Sequence, residues 1–304
     1  MKHLFIINPA AGSRDQTRDL REAIEKNCAG LDYEIQVSQE PGHCRMIISQ
    51  AAATGQEYRI YACGGDGTLN EVAAGAAGHE NVSITHYAGG SGNDFVKVFS
   101  QPEAFRDLSR LLDCRETRFD LMRCNGDVAL NICSVGLDAR IGTDVANYKR
   151  IPFLHGFRAY ALSAVINTIR GISEHYVVQV NGETIDGKHT MVCVCNGRFY
   201  GGGFNPVPEA DPQDGLLDVL LVKAVSRLQV LQVVGKYKAG RYAELPDLVR
   251  HVRTDAITIL CDGPTSINLD GELRVATRVD IRLTGEKLRF FYPKDLTLAT
   301  PVPV

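Results

Sequence analysis

Residues 1–118 alternate between two hydrophobic patterns. Short apolar runs such as His3–Ile7 predict strands, and longer stretches such as Arg14–Cys28 place apolar residues on one helical face. Strands that interleave with helices over short connections form a doubly wound, mostly parallel sheet. The predicted strands are His3–Ile7, Tyr33–Val37, Arg59–Cys63 and Val82–Tyr87, and the predicted helices are Arg14–Cys28, about His43–Ala53 and Leu69 to about Ala77.

From about Arg118 onward the pattern is dominated by strands. Two tight turns, Asn125-Gly126 and Asn181-Gly182, each separate two strand-like runs and predict β-hairpins. This pattern predicts a β-sandwich. Its predicted strands are Arg118–Arg123, Val128–Cys133, Tyr176–Val180, Met191–Cys195, Leu217–Val222, Ile257–Cys261, Thr265–Leu269, Val279–Leu283 and Leu288–Tyr292, with helical insertions near Phe157–Ile169 and Arg227–Lys238.

A chain of 304 residues is long enough for two domains, which the change of pattern sets at 1–118 and 119–289. The tail over about 290–304 is a candidate to return to the first domain, because terminal strands often close a sheet. A net charge of −3 argues against a general nucleic-acid binder. Nine scattered cysteines without a zinc spacing indicate reduced thiols and a cytoplasmic protein. There is no apolar run long enough to span a membrane, and the first residues read as a strand rather than a signal peptide.

A glycine-rich segment, Gly64-Gly-Asp-Gly-Thr-Leu-Asn-Glu71, directly follows a predicted strand and opens a predicted helix. Glycines allow the backbone to approach an anion closely, and the helix N-terminus favours negative charge. We expect Thr68 to cap this helix. Asp66 would repel a phosphate unless a cation lies between them, so the segment predicts a nucleotide–metal site.

Two further loops follow predicted strands in the same domain. The first is Asn8-Pro-Ala-Ala-Gly12, whose small residues leave backbone N–H groups open to an anion. The second is Gly89-Gly-Ser-Gly-Asn-Asp94, in which Asn93-Asp94 could equally be a cap for a helix over Phe95–Phe99. Ligands of doubly wound sheets bind beyond the carboxyl ends of the strands, so the loops together predict one site.

Two acidic turns stand out in the second domain. Asp211, Asp214 and Asp218 surround a glycine turn and suit a hard cation, although an acidic turn before a strand is the simpler interpretation. The segment Asn268-Leu-Asp-Gly-Glu272 reads as a hairpin turn with exposed carboxylates. Asp270 or Glu272 would be a plausible general base if this turn faced the nucleotide loops.

Together these motifs resemble the bacterial soluble diacylglycerol kinase family, which shares its catalytic domain with sphingosine and ceramide kinases. The matching pieces occur in family order and cover nearly the whole chain. Gly-Gly-Asp-Gly alone is shared with NAD kinases and phosphofructokinases, whereas the later motifs are more specific. The pieces are Asn8–Gly12, Gly64–Glu71, Ser91-Gly-Asn-Asp-Phe95, Asp214-Gly-Leu-Leu-Asp218 and Asp270-Gly-Glu272.

The resemblance implies an NAD kinase/diacylglycerol kinase-like fold, with an α/β nucleotide-binding domain and a C-terminal β-sandwich. It implies ATP and Mg²⁺ as cofactors, Glu272 as the proton acceptor, and Asp66, Asp94 and Asp120 in the metal–phosphate network. Asp211, Asp214 and the backbone of Leu216 would hold a structural magnesium. The implied ATP contacts are Asn8, Pro9, Ala10, Ala11, Gly12, Ser38, Gly64, Gly65, Asp66, Gly67, Thr68, Leu69, Asn70 and Ser91.

The chain departs from the family pattern at two positions. Ser13 stands where a basic group is common, with Arg14 next to it, and Ser91 replaces a threonine while keeping the hydroxyl. The implied reaction is phosphorylation of a lipid hydroxyl, with diacylglycerol or a related lipid as the acceptor. An NAD kinase-type enzyme and a nucleotide-binding regulator without turnover are the two alternatives.

A lipid acceptor implies contact with the inner face of the membrane. Two basic stretches are candidates for that contact, residues 149–158, which carry Phe153 and Leu154, and residues 236–253. For either stretch alone, a solvated cationic face, with Phe153 and Leu154 in the core, is the simpler interpretation. The sequence identifies neither the lipid pocket nor the oligomeric state, and a homodimer is left open.

Overall fold

The computed structural model describes residues 1–148 and 172–302. The chain divides into two units. The first unit holds Met1–Leu121 together with Thr284–Thr300, and the second holds Met122–Leu283 and the residues from Pro301 onward. The first crossing between the units lies close to the predicted boundary at 118. The return at Thr284 comes earlier than the tail predicted to begin at about 290.

The described residues form strands and α-helices that are numbered here in chain order. The strands are β1 (Lys2–Ile7), β2 (Tyr33–Val37), β3 (Tyr58–Gly64), β4 (Val82–Ala88), β5 (Cys114–Cys124), β6 (Asp127–Ala129), β7 (Ile132–Gly136), β8 (Glu174–Val180), β9 (Glu183–Cys195), β10 (Leu217–Lys223), β11 (Val249–Thr254), β12 (Ala256–Leu269) and β13 (Glu272–Pro293). The helices are α1 (Thr17–Asn27), α2 (His43–Ala53), α3 (Asp66–Ala76), α4 (Leu108–Leu112), α5 (Leu137–Tyr148) and α6 (Arg227–Lys238).

The first unit is built on a parallel sheet in the order β13-β4-β3-β1-β2. Alternation of strands and helices requires each strand to return in the same direction, and the predicted parallel sheet is confirmed. Both faces of its central strands are buried, with α2 packed against α3 and α1 against α4. The carboxyl ends of β1, β3 and β4 therefore open onto one edge, where the glycine loops begin.

An aromatic cluster fixes the end of the chain against the first unit. Phe290, on the last part of β13, packs edge-on against Phe95 and Phe119 at centroid distances of 5.5 Å each. Phe291 packs edge-on against Tyr61 of β3 at 5.0 Å. These rings are buried, and each such pair adds about 0.5–1.5 kcal/mol beyond its buried area. The C-terminal part of β13 is thus an integral part of this core.

The second unit consists of antiparallel strands. Its order is β11-β10-β9-β7-β12-β13, and β8 pairs with both β9 and β12. Two long strands serve two sets of partners. In β9, Glu183–His189 pairs with β8 while Met191–Cys195 pairs with β7. In β12, Ile257–Cys261 pairs with β8 while Ile267–Leu269 pairs with β7.

The strands of the second unit bury apolar residues on both faces. On β9, Val192 and Val194 join a core shared with β8, β10, β12 and β13. The alternate residues Cys193 and Cys195 face a second cluster that includes Tyr237 of α6. The predicted helix over Arg227–Lys238 is confirmed. All nine cysteines are free, in agreement with the predicted reduced thiols.

Three hairpins of the second unit turn through an Asx-Gly pair with positive φ at both positions. They are Asn125-Gly126 (49° and 97°), Asn181-Gly182 (52° and 76°) and Asp270-Gly271 (49° and 92°). This geometry matches the twist of the flanking strands and favours Asn or Asp followed by Gly. The two predicted Asn-Gly hairpins are confirmed.

Two pairs of predicted strands are single strands. Val279–Leu283 and Leu288–Tyr292 both belong to β13, which passes through Gly285 without stopping. Pairing with β12 on one part and with β4 on the other overrides the local turn signal. Ile257–Cys261 and Thr265–Leu269 likewise form β12, with a register irregularity between Leu260 and Thr265.

Some predictions lie outside the described residues. They are the helix near Phe157–Ile169 and the basic stretch at 149–158. Across residues 1–148 and 172–302, every helix is too short or too polar to span a bilayer.

Candidate active site

Three loops of the first unit contact one another beyond β1, β3 and β4. The carbonyl of Gly64 accepts hydrogen bonds from the N–H groups of Gly89 (2.9 Å) and Gly90 (3.0 Å). The N–H of Asn8 donates to the carbonyl of Cys63 at 2.9 Å. The structure therefore brings together the three glycine-rich segments that the sequence pattern placed at one sheet edge.

The loops approach so closely that side chains are excluded. A Cβ on Gly90 would lie 2.4 Å from the Cα of Gly65, and a Cβ on Gly64 would lie 2.3 Å from the Oγ1 of Thr68. Gly12 has a φ of +81°, and its Cβ would lie 2.8 Å from the carbonyl oxygen of Gly89. Glycine at these positions is a steric requirement of the site.

The N-terminus of α3 is not capped by a side chain. The helix begins at Asp66 with the extended Gly65 as its N-cap, so the predicted cap at Thr68 is wrong. Thr68 lies within the first turn and accepts a hydrogen bond from the Nδ2 of Asn8 at 2.9 Å. The first N–H groups of a helix have no partner inside the helix.

Two asparagine side chains brace the loops. Asn8 accepts a hydrogen bond from the N–H of Ala10 at 3.0 Å, and its carbonyl accepts from Ala11 at 3.2 Å. These two N–H groups are engaged within the loop, which corrects the expectation that they are open to an anion. Asn93, with a φ of +50°, accepts from the N–H of Gly90 at 3.1 Å and donates to its carbonyl at 2.7 Å.

Two carboxylates and a lysine meet at the second and third loops. Asp66 accepts a hydrogen bond from the N–H of Asp94 at 2.5 Å, and the buried Asp94 pairs with Lys97. Burial and the nearby Asp94 charge raise the pKa of Asp66. Asp94 precedes a 3-10 turn at Phe95–Val98 but makes no capping bond, so the capping interpretation is wrong.

A buried histidine on β4 contacts the start of the glycine loop that follows β3. His86, on β4, places its Nε2 2.9 Å from the Gly64 carbonyl. Burial lowers the pKa of His86 to about 4, so the ring is neutral near pH 7 and donates its Nε2–H to that carbonyl. The Gly64 carbonyl thus accepts from His86, Gly89 and Gly90 together, which fixes the end of β3.

A cleft of about 280 Å³ lies beside these loops. Gly12, Gln16, Ser91 and Arg106 are among its lining residues. Arg106 donates its Nε–H to the carbonyl of Ala88 at 2.9 Å, which positions the guanidinium at the cleft wall.

Three further predicted residues of the first unit, Ser38, Asn70 and Asp120, are buried. Ser38 is buried and donates its N–H to the carbonyl of Ile7 at 2.9 Å. Asn70 is buried, and its Oδ1 has no hydrogen-bond partner within the part of the chain that the structure describes. Asp120 is buried and forms an ion pair with Lys287.

In the second unit, Asp270 clamps a neighbouring turn. Its carboxylate accepts hydrogen bonds from three consecutive N–H groups, those of Leu130 (2.7 Å), Asn131 (3.1 Å) and Ile132 (2.7 Å). Charge-assisted hydrogen bonds to backbone N–H groups are stronger than neutral ones, so this contact fixes the position of the carboxylate. Asp270 therefore stabilises the turn at Leu130–Ile132. It does not have the exposed carboxylate that we expected of a general base.

Glu272 lies two residues after Asp270 in the same hairpin and is only partly buried. Its carboxylate accepts a hydrogen bond from Arg274 at 2.8 Å, and Arg274 also donates to Asp127 at 2.8 Å. Asn268 stabilises the turn of this hairpin, because its Oδ1 accepts a hydrogen bond from the N–H of Gly271 at 2.9 Å.

Asn268 is in turn linked to α5. Its side chain hydrogen-bonds Asp138, which also accepts from the hydroxyl of Ser134 at 2.7 Å. Burial raises the pKa of Asp138. A chain of side chains therefore runs from α5 to the turn that carries Glu272.

The carboxylates of the acidic turn at residues 211–218 bond an arginine and the backbone of the turn. Asp214 accepts from the N–H of Leu216 at 2.9 Å and forms an ion pair with Arg253. Asp211 accepts from the N–H of Gln213 at 3.1 Å. Within the part of the chain that the structure describes, no three acidic, histidine or cysteine side chains form a group able to hold a metal. As placed, these residues do not fit the implied magnesium.

The predicted sites omit four residues that the structure places at these loops or turns. His86 was detectable as a polar residue within an apolar strand, and Lys97 by its position one helical turn after Asp94. Asn268 opens the predicted hairpin turn and bonds Gly271 three residues later, whereas Arg106 is positioned by a tertiary contact for which the sequence carries no local signal.

Two family models match the chain. The diacylglycerol kinase catalytic domain matches residues 2–124, and the YegS C-terminal NAD kinase beta sandwich-like domain matches residues 131–292. The chain belongs to the bacterial diacylglycerol kinase family of lipid kinases that joins these two domains. Its fold is accordingly an α/β catalytic domain followed by a C-terminal β-sandwich domain.

Individual proteins resemble the chain over nearly its full length. A protein of Staphylococcus carnosus (strain TM300) named "Putative lipid kinase" is 26% identical over 302 residues, which cover 95% of this chain and 96% of that protein. A similarly named protein of Staphylococcus aureus (strain MSSA476) is 25% identical over 284 residues, covering 91% and 92%. A crystal structure from Bacillus anthracis str. Sterne, described as a "putative diacylglycerol kinase", has a TM-score of 0.76 at 24% identity, covering 96% and 97%. That structure shares the fold.

Proposed function

We propose that this protein transfers the γ-phosphate of ATP to the hydroxyl of a lipid, with diacylglycerol or a related lipid as the acceptor. The observation that carries the proposal is the set of three interlocked glycine loops at the carboxyl ends of β1, β3 and β4. This is the edge of a doubly wound sheet at which ligands bind. Membership of a lipid kinase family supports a lipid acceptor.

The glycine loops suit the phosphates of a nucleotide. The uncapped first turn of α3 offers backbone N–H groups and the positive end of the helix dipole. The implied ATP contacts that belong to these loops and to the first turn of α3 are Asn8–Gly12, Gly64–Leu69 and Ser91, whereas Ser38 and Asn70 are buried. Phosphoryl transfer depends mainly on positioning and charge neutralisation, which backbone donors supply without reorganisation.

The paired carboxylates fit a nucleotide-bound Mg²⁺. Asp66 has a raised pKa beside Asp94, so a nearby cation would relieve an existing electrostatic cost. In the proposed reaction Asp66 and Asp94 would hold the ion, which neutralises charge on the phosphate oxygens when bound. Lys97 already neutralises Asp94, which leaves Asp66 as the main carboxylate for the ion.

Glu272 is the proposed proton acceptor. A lipid hydroxyl is a weak nucleophile until its proton is removed as the phosphate is attacked. Of the two carboxylates in the hairpin, Asp270 accepts hydrogen bonds from three backbone N–H groups, whereas Glu272 accepts its hydrogen bond from the flexible side chain of Arg274. Asn268 and Asp270 would keep the turn, and therefore Glu272, in position.

We propose contact with a membrane surface because the proposed acceptor is a lipid. The cations of residues 236–253 are largely engaged inside the second unit. Lys236 and Arg241 share Glu244, Arg250 pairs with Glu183, and Lys238 lies 5.3 Å above the ring of Phe204. This stretch therefore contributes less to a membrane contact than its sequence suggests.

The test is transfer of label from γ-labelled ATP with Mg²⁺ to a panel of acceptors in mixed micelles. The panel holds diacylglycerol, monoacylglycerol, phosphatidylglycerol, ceramide and sphingosine, with NAD as the soluble control. We expect label in one lipid class and none in NAD. Label in NAD alone would assign the protein to an NAD kinase-type reaction, and ATP binding without any transfer would support the regulator.

A further inference from the structure

We propose that Arg253 provides a built-in positive charge for the acidic turn at residues 211–218, so that this turn is stable without a bound divalent cation. The family resemblance implies a structural magnesium here. The geometry of the turn shows a guanidinium at the carboxylate that such an ion would need.

Strand pairing delivers the arginine to the turn. Arg253 on β11 lies directly opposite Asp218 on β10. Asp218 is the second residue of β10, the strand that follows the acidic turn. Its Nη2 pairs with Asp214, and its Nε lies 3.3 Å from the Oδ1 of Asp218. One planar guanidinium thus bridges two carboxylates, an arrangement for which arginine is better suited than lysine.

The oxygen atoms of the turn are directed toward its own backbone. The Oδ1 of Asp214 accepts from the N–H of Leu216 at 2.9 Å, and the Oδ1 of Asp211 accepts from Gln213 at 3.1 Å. The carbonyl of Asp211 accepts from the N–H of Asp214 at 3.3 Å. A hard cation needs about six oxygen ligands, and among the described residues no three acidic, histidine or cysteine side chains form a group that could hold one.

The buried Asp218 makes the guanidinium important for stability. Asp218 is 1% exposed, and among the described residues its Oδ2 has no hydrogen-bond partner. Its Oδ1 is contacted by Arg253 and by His251, whose Nε2 lies 2.7 Å away. Without Arg253 this carboxylate would depend on a single imidazole, and an uncompensated buried charge is strongly destabilising.

The first test is the melting temperature of the wild-type protein without nucleotide, in EDTA and in excess MgCl2. We expect the two melting temperatures to agree within error. A structural site filled to about a hundred times its Kd would raise the melting temperature by about 5–10 °C. A rise of that size in the wild type would overturn the proposal, and this measurement needs no variant to fold.

Two variants of β11 form a matched pair for the second test. Arg253→Gln removes the bridge to the acidic turn, whereas Arg250→Gln removes a guanidinium of the same strand that pairs with the exposed Glu183. In EDTA we expect Arg253→Gln to lower the melting temperature by about 4–8 °C and Arg250→Gln by about 2 °C or less. In Arg253→Gln, MgCl2 should recover part of the loss, because the Asp214 carboxylate is then free to take a cation. Equal melting temperatures for the two variants would contradict the proposal.

Discussion

The glycine loops of the first unit and the acidic turns of the second unit hold charge by different means. In the first unit the proposed contacts to an anion are backbone N–H groups in the first turn of α3, next to glycines that tolerate no Cβ at Gly64 or Gly90. In the second unit charged side chains from separate strands pair with one another, as Arg253 does with Asp214 and Asp218. The two regions should therefore respond to different kinds of substitution.

The difference teaches which property each region depends on. A site made from backbone is sensitive to the size of a side chain, because an added methyl group collides with a neighbouring main chain. A site made from paired charges is sensitive to the loss of one charge, because the partner is left uncompensated. Each prediction below separates these two kinds of sensitivity.

The largest expected effect is on the rate of transfer. Glu272→Gln keeps the size of the side chain but removes its ability to accept a proton, so transfer should fall by about 10²–10⁴-fold. The measurement is the initial rate with the best lipid of the acceptor panel. Glu183→Gln, a carboxylate paired with Arg250 on the surface, is the control and should keep the wild-type rate. A wild-type rate in Glu272→Gln would remove Glu272 from the reaction.

The next effect is on stability in acid. The pKa of His86 is lowered to about 4 by burial, whereas in the unfolded chain it is about 6.5. As the pH falls below about 6.5, His86 becomes protonated in the unfolded state but stays neutral in the folded state. Stability is therefore lost between about pH 6.5 and 4, reaching about 3 kcal/mol in full.

His86→Asn should lack this component of the acid sensitivity. The measurement is the free energy of unfolding in urea as the pH is lowered across that window, compared with the wild type. His175→Gln is the control, because Asp262 and Asp186 raise the pKa of the exposed His175 and its contribution has the opposite sign. An unchanged pH dependence in His86→Asn would show that this ring does not set the acid response.

The third effect separates charge from size in the hairpin of the second unit. Asp270→Asn preserves the volume but replaces a carboxylate that accepts from three N–H groups. We expect a loss of about 1.5–3 kcal/mol in the free energy of unfolding. Asp262→Asn, an exposed residue bonded to His175, should change stability little. Equal losses in both variants would mean that the clamp contributes nothing specific.

The smallest expected effect is steric. Gly90→Ala places a methyl group 2.4 Å from the Cα of Gly65, so one of the two loops must move. The strain should lower the free energy of unfolding by about 1–3 kcal/mol. Gly187→Ala on β9 is the control, because its added Cβ meets no atom within 4 Å. Similar stabilities in these two variants would show that the loops are looser than their contacts indicate.

Much of the first unit could be predicted because its signals are local. The alternation of strands and helices and the glycine runs that follow β1, β3 and β4 are visible in short windows of sequence. The cap assigned to Thr68 was wrong for a reason that is not local. Its hydroxyl is engaged by Asn8 from another loop, and α3 starts earlier than the apolar pattern suggests.

The second unit was less predictable because its important contacts join distant strands. Asp270 reads as an exposed turn residue, yet its partners lie at Leu130–Ile132. Arg253 reads as part of a basic stretch, yet antiparallel pairing places it opposite Asp218. No local pattern encodes either register, so the sequence indicated the residue types without their partners.

The most direct test of the account is the affinity of a non-hydrolysable ATP analogue for the wild type, Glu272→Gln and Gly90→Ala. If the glycine loops bind the nucleotide and Glu272 acts only on the acceptor, Glu272→Gln should bind as the wild type does. Gly90→Ala should bind at least about tenfold more weakly, which corresponds to about 1.4 kcal/mol. Equal weakening in both variants, or wild-type affinity in Gly90→Ala, would contradict this division of roles.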